Sequence, residues 1–250
     1  MSGHSRWANI KHKKARSDAK KGKVFTKLVK EIMVAARHGG TDASANARLR
    51  LAIEKAKAEN LPADNIDRAV KKGAGELSTV NYEEGCYEGY GPGGVAVLVN
   101  FTTDNRNRTA ADVRHAFTSY GGSLGQSGSV SWMFEKKGLF LFESASISED
   151  SLIDLALKAG ADDVAANPAD KSYEVYADPA LFAKVKAQFD SQGLKYSSAD
   201  ITMVPKTVVH VQGKTAEHVL KLLDALEDLD DVSSVYANFD ISEEDLKNIA

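Results

Sequence analysis

The chain has one cysteine, Cys86, so no disulfide can close within it, which suits a reducing compartment. That lone thiol has no recognisable base near it in sequence, and the six histidines show no zinc spacing. No stretch reaches the roughly 18 apolar residues of a membrane span. The first residues lack the apolar core of a secretory leader. They are rich in Lys and Arg and poor in acid, as mitochondrial presequences are, but residues 1–20 hold too few large apolar side chains for an amphipathic face. No nucleophile–base pair, acid–base pair or metal set stands out. These absences predict a cytoplasmic chain that is not an enzyme, with no catalytic residue, metal, cofactor or membrane partner.

Acid is scarcest at one end. Residues 3–30 carry ten Lys and Arg against one acid, Asp18, a net of +9 in a chain whose total is −3. A like-charge block of this density repels itself and must face water or a polyanion. Residues 1–76 sum to +10 and residues 77–250 to −13. Such asymmetry marks one half that binds a polyanion and another that is repelled by it. The ammonium and guanidinium groups can replace condensed counterions on a phosphate backbone, and Trp7 can stack on a base. The candidate nucleic-acid contacts are Arg6, Trp7, Lys11, His12, Lys13, Lys14, Arg16, Lys20, Lys21, Lys23 and Lys27.

Three tempting motifs fail. Gly89-Tyr90-Gly91-Pro92-Gly93-Gly94 leads into a strand instead of opening a helix, so it is not a dinucleotide fingerprint. A mobile turn or contact loop fits it better. Gly213-Lys214-Thr215 resembles the end of a P-loop, but Val208 stands where the first glycine belongs. The run Glu227, Asp228, Asp230, Asp231 lacks calcium-loop spacing and reads as the solvated end of a helix.

Apolar periodicity predicts a helix whose inner face is Val24, Phe25, Leu28, Val29, Ile32, Met33 and Ala36, ended by Gly39-Gly40. Lys20, Lys23, Lys27 and Lys30 repeat on its other side. A second helix, capped by Ser44, turns Leu49, Ala52, Ile53 and Ala56 inward; a third begins at Pro62. Residues 82–94 then read as a loop, 95–101 as a strand, 106–120 as a helix and 130–134 as a strand. From 139 to 204 the order is β-α-β-β-α-β, the ferredoxin-like arrangement. Residues 207–239 add β-α-β, which is half a domain, and 95–134 is the matching half. The expected fold class is therefore α+β multidomain: an N-terminal three-helix domain followed by two ferredoxin-like domains, one inserted in the other. The expected boundaries are 1–76; 77–136 together with 206–250; and an inserted 137–205.

The segments SGHSRWANIKHKKARSDAKKGKVFTKLVKEI, NLPADNIDRAVKKGAG, YEGYGPGGVAVLVNFTTDNRNRTAADVRHAF and GSVSWMF resemble the hallmark stretches of the YebC family almost continuously over residues 2–134. The later half is similar in layout more than in wording. The resemblance implies three domains, one helical and two α+β, and a bacterial cytosolic type. It places the family's basic signature on Trp7, Lys11, His12, Lys13, Lys14, Lys20, Lys21 and Lys23. It also matches the glycine loop and the stretch holding Asp104, Asn105 and Arg108. A candidate contact loop thus comprises Tyr90, Gly91, Pro92 and Gly93 with Arg106 and Arg108. For Arg106, Arg108 and Arg114, helix-surface charge or ion pairing competes with a nucleic-acid role.

Three functions are consistent with these features. The first is a DNA-binding transcriptional regulatory protein, the function the resemblance attaches to bacterial relatives. The second is a ribosome- or RNA-binding translational activator that relieves stalling; the resemblance includes the mitochondrial translational activator of cytochrome oxidase subunit I. The third is a non-enzymatic interaction scaffold. A monomer is expected in each case.

Overall fold

The structure is a computed structural model that describes residues 18–75, 81–168, 171–242 and 245. The chain divides into two compact units. One comprises the described parts of residues 10–130 with 214–235, the other those of 131–213 with 236–250.

The first unit opens with three helices: α1 (Asp18–Gly39), α2 (Ala47–Ala58) and α3 (Ala63–Gly73). Ile32, Met33 and Ala36 of α1 meet Leu49, Ala52 and Ala56 of α2 and Ile66 and Ala69 of α3 in one buried cluster, with Phe25, Leu28 and Val29 packed against it. The three- and four-residue spacing of these side chains creates that face. Asn46, not Ser44, caps α2: its Oδ1 accepts from Leu49 N (3.1 Å) while its Nδ2 donates to Ala35 O and Gly40 O (2.8 Å each). One side chain therefore starts α2 and stitches it to the end of α1. At Gly73, α3 runs so close to α1 that a Cβ would lie 2.8 Å from the Ala36 Cβ.

A four-stranded sheet follows, in the order β3-β1-β2-β9. Its strands are β1 (Glu83–Tyr90), β2 (Ala96–Thr103), β3 (Ser123–Leu124) and β9 (Val232–Ala237), numbered along the whole chain. β1 occupies much of the segment the sequence reads as a loop. Its register with β2 explains the glycines: Gly85 lies opposite Phe101 and Gly89 opposite Val97. A Cβ at Gly89 would sit 2.8 Å from the Phe117 ring and 2.6 Å from Ser123 O. The residues that weaken β-propensity are there to admit large neighbours.

The helix α4 (Arg106–Ser119) buries Val113 and Phe117, and Asn105 caps it by accepting from Arg108 N at 3.1 Å. The long helix α7 (Gly213–Glu227) buries Val219, Leu222, Leu223 and Leu226. On the sheet's other face Glu88 is buried, and its carboxylate accepts from Gly128 N and Val130 N, both at 2.7 Å, pinning the loop after β3.

The second unit carries the sheet β5-β6-β4-β7, built from β4 (Phe134–Glu143), β5 (Asp163–Asn167), β6 (Ser172–Ala177) and β7 (Ser198–Pro205). All three pairings are antiparallel. With α5 (Glu149–Ala159) after β4 and α6 (Phe182–Ser191) before β7, this is the ferredoxin-like arrangement the sequence predicts. Phe140 stacks on Phe182 and meets Phe189 edge-on, closing the layer between sheet and helix. Two details differ from the sequence reading. Of the strand expected at 130–134 only Phe134 is extended, as the first residue of a β4 that runs unbroken through 139–143; Ser131–Met133 form a single helical turn before it. In addition β8 (Val209–Val211), instead of joining the sheet of β2 and β9, pairs in parallel with β10 (Phe239–Ile241).

Candidate nucleic-acid interface

The basic stripe of α1 begins with Lys20 and Lys21, whose backbone is helical and whose side chains lie outside the described residues. Arg6, Trp7, Lys11, His12, Lys13, Lys14 and Arg16 also lie outside them. The described part of the stripe is Lys23, Lys27 and Lys30. Their spacing places them along one line of the helix, about 6 Å apart at four residues and 4.5 Å at three.

All three lysines face the turn that joins α7 to β9. Lys23 Nζ donates to Asp228 O at 3.0 Å, Lys27 Nζ to Glu227 O, and Lys30 Nζ to Asp230 O at 2.9 Å. Helix α7 ends at Glu227, so its last carbonyls lack partners within the helix and carry the negative end of the helix dipole. Lys27 supplies one of the missing donors, and all three lysines bring compensating charge. Glu227, Asp228, Asp230 and Asp231 add four carboxylates to the same short turn. The run that the sequence presents as a solvated helix end is thus an internal docking surface for α1.

Asp231 is its innermost member and is buried. Its Oδ1 accepts from Lys30 Nζ at 2.8 Å, and its Oδ2 from Arg108 Nε at 3.1 Å and Thr109 Oγ1 at 3.0 Å. Its backbone carbonyl accepts from Thr102 N at 2.8 Å, continuing the sheet. Burial alone would raise the Asp231 carboxyl pKa, but hydrogen bonds from Lys30 and Arg108, with the Lys30 charge, outweigh it and hold the group at about 2. Asp231 is therefore ionised and saturated at neutral pH. No local sequence signal picks it out, because its partners are more than 100 residues away. What the sequence does offer is complementarity, a lysine stripe in one half and an acidic run in the other.

A second contact joins the helices to β1. Arg48 Nε and Nη2 donate to the two oxygens of Glu31 at 2.7 and 2.9 Å, and Nη1 donates to Glu84 Oε2 at 3.0 Å. Those hydrogen bonds lower the pKa of Glu84 and raise that of Arg48.

The candidate contact loop does not form one surface. Tyr90, Gly91, Pro92 and Gly93 lie at the hairpin end between β1 and β2, where Tyr90 Oη donates to Ser129 O at 3.0 Å and Gly93 takes a left-handed φ of 71°. Arg106 and Arg108 follow the far end of β2, about 25 Å away along an eight-residue strand. Arg108 is committed to Asp231 and Asp104, the latter at 2.8 Å. Arg106 and Arg114 are exposed on α4. Cys86 lies on β1, where partial desolvation of its sulfur pushes the thiol pKa up to about 11, so it is not an activated nucleophile. Among the described residues no group of His, Cys, Asp or Glu could hold a metal ion, and no helix is long and apolar enough to cross a membrane.

Fold and site together define a class: a multidomain α+β protein whose cationic leading helix lies on an acidic turn of its own first sheet. Comparison with known proteins narrows this to a family. Residues 5–76 match the family domain described as "TACO1/YebC protein N-terminal domain", and residues 82–239 match "TACO1/YebC second and third domain". The chain belongs to the TACO1/YebC family, as its sequence resemblance implies. It is 57% identical over 249 residues to proteins of Citrifermentans bemidjiense and Geobacter sulfurreducens, each covered over its whole length and each named a probable transcriptional regulatory protein. Among solved structures it matches a conserved hypothetical protein of Aquifex aeolicus at 50% identity, with a TM-score of 0.85 over 95% of this chain and 98% of the other.

Proposed function

We propose that this chain is a nucleic-acid-binding regulator of gene expression that acts on DNA as a transcriptional regulatory protein. The observation that carries this reading is the net charge of +9 in residues 3–30 against −13 in residues 77–250. The names of its relatives support it. The contact set is the arm: Arg6, Trp7, Lys11, His12, Lys13, Lys14, Arg16, Lys20 and Lys21, with Lys23 and Lys27 at its inner end. Among the described residues no recognition helix with a base-reading pattern is apparent, so phosphate contacts dominate and base selectivity is low. The protein works as a cytoplasmic monomer without cofactor or catalysis. Its three domains are 1–76, 77–136 with 206–250, and 137–205; the two family matches, which break between 76 and 82, support the first boundary.

Gel shifts on duplex DNA, set against cosedimentation with 70S ribosomes at about 0.15 M salt, test the reading. Duplex binding with a log–log salt slope of about −5 to −7 is expected, flattened by roughly two to three in a K11A/K13A/K14A variant. Ribosome binding without a duplex shift would replace DNA by ribosomal RNA as the target, making the chain a translational activator. Binding to neither would leave an interaction scaffold.

A further inference from the structure

The lysines that continue the arm into α1 are already occupied, and the way they are occupied is graded. At the inner end Lys30 and Asp231 retain 15% and 8% of their side-chain exposure; at the outer end Lys23 and Asp228 retain 44% and 57%. Exposed pairs of the outer kind contribute little and exchange partners readily, whereas breaking the inner one strands a buried charge. The acceptors offered to Lys23 and Lys27 are oxygens of a carboxylate-rich turn at a helix C-terminus, a negative surface much as a phosphate backbone presents. Beside them opens a cleft of about 520 Å³ faced by Lys23, Lys30 and Arg108 but also by five aspartates, including Asp228 and Asp230. Three cations against five carboxylates repel a phosphate for as long as the turn stays in place.

We propose that the turn of residues 227–231 is an intramolecular stand-in for phosphate: it occupies Lys23 and Lys27 in the free protein, and a bound nucleic acid displaces its outer part. Lys30, Asp231 and Arg108 stay joined and act as the fixed end of the exchange. The turn thereby restrains the inner part of the nucleic-acid interface. A polyanion must outcompete Glu227 and Asp228, while weaker anions do not. This inference rests on the arm's binding nucleic acid.

Two measurements on the full chain test it, with a mixed-sequence DNA duplex and a ribosomal RNA fragment as probes. The first compares E227Q/D228N with D64N/D67N, which removes the same formal charge from exposed positions of α3. E227Q/D228N should bind about three- to tenfold tighter than the wild type, and D64N/D67N less than about twofold tighter. Equal gains would mean a general charge effect and overturn the proposal. The second is amide hydrogen exchange: adding the probe should speed exchange at residues 228–230 and leave the Asp231–Thr102 pairing protected. Binding with unchanged or slowed exchange in the turn would overturn the stand-in while leaving the arm's role intact. Failure of the wild type to bind either probe would overturn both.

Discussion

Two charge clusters fasten the helical segment to the first sheet, and they are made differently. At Asp231 a buried carboxylate meets Lys30, Arg108 and Thr109, and both of its oxygens have donors. At Arg48 a guanidinium spans Glu31 and Glu84 with side chains 34–41% exposed. The second has the more regular fork geometry, yet water competes for all of its groups. Removal of the carboxylate is costlier in the first, because it leaves Lys30 with only 15% of its exposure, whereas every member of the second already meets water. The lesson is that the number of ion pairs says less than where the orphan would be left.

Breaking the inner cluster should have the largest effect. Asp231→Ala leaves the partly buried Lys30 without its carboxylate, while the half-exposed Arg108 can turn to water, and should lower unfolding free energy by about 2–3 kcal/mol in a urea titration. A loss under about 1 kcal/mol would put the two clusters on a par. Acid sharpens the same contrast. The Asp231 carboxyl sits near 2 in the folded state against 3.8 in a free chain. A depressed acid stabilises above its free-chain value, so roughly 2 kcal/mol should be present at pH 5 and drain away between pH 4 and 2. That loss should vanish in Asp231→Asn. Arg48→Ala should cost about 0.5–1 kcal/mol, and less in high salt. Lys23→Ala, at the outermost pair, should shift stability by about 0.5 kcal/mol or less.

The helices and the second sheet were legible because their signals are local. The apolar spacing from Phe25 to Ala36 and the glycine stop at Gly39-Gly40 need no knowledge of the rest of the chain. Four strands and two helices in the right order suffice for the ferredoxin-like sheet. β1 was not legible, since Gly85 and Gly89 look like loop residues until Phe101 and Phe117 lie over them. Nor was the pairing of β8 with β10 outside the sheet of β2 and β9, which turns on competition between segments far apart in sequence. Within the candidate site the charge of the arm was plain. The destination of Lys23, Lys27 and Lys30 was not, because a stripe that would suit phosphate suits a carboxylate turn equally well.

The inserted sheet also sets a timetable. β9, which completes the sheet beside β2, begins 129 residues after β2 ends. At a synthesis rate of roughly 5–20 residues per second, a ribosome needs about 6–26 s to make that stretch. Throughout that interval the lysines of α1 have been made and their carboxylate partners have not. Each new copy of the protein therefore passes through a stage in which its cationic helix is uncovered within reach of the ribosome making it, and only the last stretch of synthesis can cover it.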